Sequence, residues 1–77
     1  MTKTPKTFMP VEVAAEAGAR SSTWSRLGEG PWTGTVIRKD GKELAVEELP
    51  RSWKVTDETG KSSTGAELAV ALGKAGL

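Results

Sequence analysis

A chain of 77 residues with neither cysteine nor histidine must hold its fold together by apolar burial and hydrogen bonding alone. Disulfides, thiolate chemistry and the usual zinc ligand sets are excluded together. The length supports one domain, whose thin core limits stability to a few kcal/mol. Carboxylates alone can hold a hard cation, but no acidic run here has the spacing of a calcium loop. The expectation is a domain with no cofactor and no metal, with self-association as a compatible source of added stability.

The same absences argue against catalysis. Ser21, Ser22 and Ser25 have no evident general base. Glu47 and Glu48 are neighbours on an expected strand and point to opposite faces, so they cannot act as a pair. The chain is therefore read as a non-enzyme.

Formal net charge is +1, and its distribution carries more information than its sum. Arg20, Arg26, Arg38, Lys39 and Lys42 stand against Glu29 and Asp40, whereas Glu43, Glu47 and Glu48 follow with no base among them. A modest basic face and an acidic back are implied. No segment is apolar enough to span a membrane, and Glu12 and Glu16 interrupt the stretch that a signal peptide would need. A cytoplasmic location and no membrane partner are expected.

Residues 1–9 read as a polar tail and residues 10–77 as the domain. Pro10 suits a first helical turn, Val11 to Ala17 continue that helix, and Gly18 ends it. Ser21 or Ser22 can cap a second short helix running to about Leu27, which Gly28, Gly30 and Pro31 stop. Thr35 to Lys39 and Lys42 to Glu48 alternate as strands around an Asp40-Gly41 turn. Ser52 to Thr56 suit a further short strand, and Asp57 to Ser63 read as turn. Thr64-Gly65-Ala66-Glu67 has capping-box spacing, which predicts a helix over Glu67 to Leu72 ending near Gly73.

Val11 to Leu27, VEVAAEAGARSSTWSRL, resembles the helix-turn-helix of the lactose-repressor family. Glu12, Val13, Ala14, Ala17, Gly18, Ser21, Ser22, Thr23, Ser25 and Arg26 fall in register with it. Two steeply crossing helices need a small residue at the contact, as Ala14 is, and a glycine where the chain reverses, as Gly18 is. Ala19, Arg20 and Trp24 depart from that family's pattern, and its third helix is absent. Trp32, the basic hairpin around Asp40-Gly41 and Leu49-Pro50 resemble instead the phage Mu-type DNA-binding domain, a winged helix whose plan excisionases share.

This resemblance implies an α+β fold: a small winged helix-turn-helix with a β-hairpin wing and a short C-terminal helix. It also implies binding of double-stranded DNA by a phage or mobile-element protein, as a transcriptional regulator or recombination accessory factor, with a recombinase or host protein as a further partner. Arg20, Ser21, Ser22, Thr23, Ser25 and Arg26 would face the major groove, and Arg38, Lys39 and Lys42 would form the wing.

Plainer readings stand beside these. Val11 to Leu27 also suits an ordinary helical hairpin, and the three basic side chains suit a solvated turn that keeps an edge from pairing. Trp32 and Trp53 supply core area in a chain with one phenylalanine and no tyrosine, and Trp24 is expected to point inward. The rival function is a small protein-binding inhibitor that uses the acidic strand Glu43 to Glu48. The Pro31 to Glu48 segment would also suit two strands of an SH3-like barrel.

Overall fold

The computed structural model describes residues 9–77, so residues 1–8 of the expected tail lie outside the described residues. Pro10 does open a helix, α1 (Pro10–Glu16), and occupies its first turn after an extended Met9. Gly18, at φ +103, ends it: the amide of Ala19 reaches back to the Ala14 carbonyl at 3.0 Å, a bond that requires the left-handed residue between.

The next segment overturns the helix-turn-helix. Ser21–Arg26 is a strand, β1, rather than a recognition helix. Its Ser, Thr and Trp side chains have poor helix propensity and suit a pleated surface. Its period is two: Ser22 and Trp24 turn toward the core and Thr23 and Ser25 away. Tertiary pairing completes the choice, because β1 lies antiparallel to β2 (Trp32–Ile37), with Trp24 opposite Gly34.

The basic hairpin is present but is no wing. Strand β2 continues through the Arg38–Lys42 turn into β3 (Glu43–Glu48), and β3 is the middle strand of a sheet. Arg38 and Lys42 close the turn by a 2.8 Å backbone bond, and Gly41 sits at φ +90, the arrangement of a type I turn followed by a left-handed residue. After a tight turn at Pro50 come β4 (Trp53–Thr56) and β5 (Ser62–Gly65). Ser62 and Ser63, which the sequence places in the turn, instead form the first half of β5. The Asp57–Lys61 connection repeats the geometry of Arg38–Lys42, with Gly60 at φ +91 and the Asp57 backbone amide donating to the Lys61 carbonyl at 2.9 Å.

Helix α2 (Leu68–Lys74) closes the described chain. The expected capping box does not form: Thr64 and Gly65 end β5, and Glu67 precedes α2 in extended conformation with no side-chain cap. The fold is thus a small α+β domain, an antiparallel meander in the order β1-β2-β3-β4-β5 with short helices at either end. It is not a winged helix. Nor does it close as a barrel, since β1 and β5 remain the two edges.

Both helices pack on one face of the sheet. Ala14 from α1 and Leu68, Ala71 and Leu72 from α2 meet Val36, Leu44, Val46, Trp53 and Val55, and the two helices also touch each other. The inward reading of the tryptophans agrees with this arrangement. Trp53 is buried, Trp24 and Trp32 are half-buried against the same cluster, and Trp24 meets Trp53 edge-on with centroids 6.4 Å apart.

Asp57 organises the β4–β5 turn. Its Oδ1 accepts from the Thr59 hydroxyl at 2.6 Å, the Thr59 amide at 2.9 Å and the Lys61 amide at 3.0 Å. The Thr59 hydroxyl bond, followed by the Lys61 amide bond, holds the carboxyl below its ordinary value of 3.8. A carboxyl lowered on folding stabilises above the ordinary value, and that stabilisation disappears as pH falls through the lowered one. Asp57→Ala should therefore melt below the parent at neutral pH, and thermal scans at successively lower pH should show the gap closing in the acid range. A gap independent of pH would remove the carboxylate from the explanation.

Candidate functional site

The sheet face away from the helices carries hydroxyls in rows. Reading across the register, Thr23, Thr35, Ala45, Thr56 and Ser62 form one row over all five strands. Ser25, Thr33, Glu47, Lys54 and Thr64 form a second. Neighbours within a row lie about 4.8 Å apart. Two pairs share hydrogen bonds, Thr56 with Ser62 at 3.1 Å and Ser25 with Thr33 at 3.4 Å. An open depression of ≈ 490 Å³ lies over this face. Glu43 and Glu47 point onto it from β3, whereas Glu48 turns to the other face and accepts the Trp32 backbone N–H at 3.0 Å. The acidic strand therefore presents two carboxylates on this face, not three.

The nine residues expected to touch DNA do not form one surface. Ser21, Thr23 and Ser25 lie on the open face. Ser22 lies on the opposite one and accepts the Trp24 Nε1–H at 2.8 Å. Arg20 and Arg26 stand at the two ends of β1, both exposed. Arg26 stacks its guanidinium over the Trp32 ring, 4.6 Å from the centroid.

The remaining three belong to the β2–β3 turn, where structural partners hold them. Arg38 pairs with Asp40 at 2.9 Å and also lies against Gly76, beyond the end of α2. Lys39 lies across Gly18, beyond the end of α1. Cations at these positions complement the unpaired carbonyls of helix C-termini. Lys42 faces Glu58 at 3.8 Å.

The two sheet edges differ. At β5, α2 packs close over Gly65, where an added Cβ would lie 2.8 Å from the Ala71 amide nitrogen. Lys74 Nζ donates to the Thr64 carbonyl at 3.0 Å, so this edge is covered and partly capped. At β1, four of six residues are exposed. Among the described residues, the outer side of Ser21–Arg26 makes no backbone hydrogen bond. The strand also lacks proline, a bulge or an inward-pointing charge between its ends, the usual devices that blunt an edge. Reading Ser21–Arg26 as a helix hid this edge. The alternation of Ser22 and Trp24 with Thr23 and Ser25 was the available signal.

Among the described residues no cluster of acidic side chains could hold a metal, and no helix is long and apolar enough to cross a membrane. Comparisons with protein-family models, with curated proteins and with solved structures find no match.

Proposed function

We propose that this domain is a non-catalytic protein-binding module that takes up an extended segment of its partner as an added strand along β1. The observation behind this reading is a difference between the sheet edges: α2 and Lys74 close over β5, whereas the outer side of β1, although α1 packs against this strand, makes no backbone hydrogen bond among the described residues. Strand addition draws affinity from main-chain hydrogen bonds and specificity from alternate side chains. A protein partner also suits the charge. With Lys3 and Lys6 outside the described residues, nine basic side chains stand against ten acidic ones. Two of the three cations of the β2–β3 turn, Arg38 and Lys42, are already paired with Asp40 and Glu58, which weakens that turn as a site for a run of phosphates.

The test is a random peptide library selected on the immobilised protein, followed by hydrogen exchange and an N-methyl scan of the winning peptides. Bound peptide should slow exchange in Ser21–Arg26. Methylating the peptide amides one at a time should weaken binding at alternate positions only, by about tenfold each, since one hydrogen bond nets about 1 kcal/mol and the methyl adds a steric penalty. Sensitivity without a period of two, or protection elsewhere, would overturn strand addition. Salt-dependent binding of random duplex DNA that protects the Arg38–Lys42 turn would replace it with a nucleic-acid role.

A further inference from the structure

We infer that the segment received by β1 is acidic at both ends and apolar between them, with carboxylates six residues apart. This rests on the strand-addition reading and gives that site a partner chemistry. Arg20 and Arg26 bracket the bare edge, six residue steps or about 20 Å apart in extended chain. Neither has a carboxylate within ion-pair distance among the described residues. Packing over Trp32, with the guanidinium carbon 4.6 Å from the ring centroid, restrains the Arg26 side chain, and a guanidinium so restrained can take a carboxylate in bidentate fashion.

The residues between the arginines specify the rest. Ser22 and Trp24 share the core-side face with Arg26. A partner strand that places carboxylates beside the arginines must therefore place its intervening same-face residues beside Ser22 and the half-buried Trp24 indole. Apolar side chains fit there. Its other residues line up beside Thr23 and Ser25, whose hydroxyls tolerate short polar groups. The resulting pattern is acid, polar, apolar, polar, apolar, polar, acid.

Two other occupants are disfavoured by charge. A second copy paired antiparallel about Thr23, a register that keeps Ser22 and Trp24 of both chains on one face, would set Arg20 of each chain opposite Arg26 of the other, like charge against like. The chain's own first eight residues carry Lys3 and Lys6 and no acid.

The experiment uses the full chain and three synthetic peptides: Glu-Thr-Val-Thr-Val-Thr-Glu, and the same peptide with both Glu replaced by Gln or by Lys. Affinity is read by calorimetry and location by hydrogen exchange. The Glu peptide should bind about tenfold more tightly than the Gln peptide at low salt, the sum of two modest charge pairs, and tighter still than the Lys peptide. The preference should shrink as salt shortens the screening length. Arg20→Glu with Arg26→Glu should invert the ranking while circular dichroism shows the fold intact. Equal binding of all three peptides, with Ser21–Arg26 protected, would overturn the charge pattern and leave strand addition standing. Failure of every peptide to protect β1 would overturn the charge pattern, and if library-selected peptides also fail there, strand addition falls with it. A concentration-dependent dimer protected at β1 would overturn the inference in favour of a second copy.

Discussion

Gly34→Ala is expected to cost about 2–4 kcal/mol, most of what a domain of this size has to lose, and Gly34→Val to abolish the cooperative transition in urea. Glycine inside a strand normally weakens it, because there is no side chain to pack and more freedom is lost on folding. Gly34 is an exception imposed by a close approach. A Cβ there would lie 2.6 Å from the Thr23 carbonyl oxygen and 2.7 Å from Trp24 Cδ2, and closer still to Trp24 Cε3. The carbonyl belongs to the paired strand and cannot retreat without breaking the β1–β2 ladder. The indole is held by its bond to Ser22 and by its edge-on contact with Trp53. Overpacking of this kind usually costs about 1–3 kcal/mol, and here two constrained neighbours must yield together. Tryptophan fluorescence during the melt gives a second readout, since displacement of Trp24 also changes the surroundings of Trp53. A Gly34→Ala protein as stable as the parent would show that β1 shifts freely over β2.

Leu44→Ala should have a comparable effect by the opposite route. Leu44 is 0% exposed, on the middle strand, opposite Val36, in the cluster that both helices cover. Removing its side chain loses the transfer free energy and leaves a cavity with sheet on one side and helix on the other, for a total of about 2–5 kcal/mol. In a domain whose core supplies about 3–5 kcal/mol of net stability, the upper part of that range leaves a substantial unfolded population without denaturant. Urea midpoints of the parent and Leu44→Ala measure it, with Leu27→Ala, truncated at a position 92% exposed, as the comparison that should not move.

What could be read from sequence was local. Pro10 and Gly18 mark the two ends of α1 by fixed backbone requirements, and both are where those requirements place them. Asp40-Gly41 marked the β2–β3 turn for the same reason. Ser21–Arg26 carried no such marker. Its spacing suited either a short helix after Gly18 or a strand, and the decision lies in Gly34 and Val36, a dozen residues away, which accept Trp24 and Ser22 across the sheet. The likeness to a helix-turn-helix rested on small and polar residues in a given order, and that order survives intact when the second segment is extended. Strand β5 was missed because Ser62, Ser63, Thr64 and Gly65 have almost no apolar content. The clue was the echo of Lys39-Asp40-Gly41-Lys42 in Glu58-Thr59-Gly60-Lys61, two turns of one geometry. The candidate site suffered accordingly. The basic side chains were visible, but their partners (Asp40, Glu58, Gly18, Gly76 and Trp32) are set by the fold, and a free edge becomes visible only once the strand beside it is known.

The meander has a consequence for how quickly the chain finds its structure. Every strand pairs with the next one along, through connections of a few residues, so each hairpin can close at little entropic cost and then template its neighbour. The chief exception is the contact between α1 and α2, which joins opposite ends of the sequence. Folding then has the character of a zipper finished by a clasp. The sheet can assemble progressively, but its apolar face stays wet until the last helix, at the far end of the chain, arrives to close it.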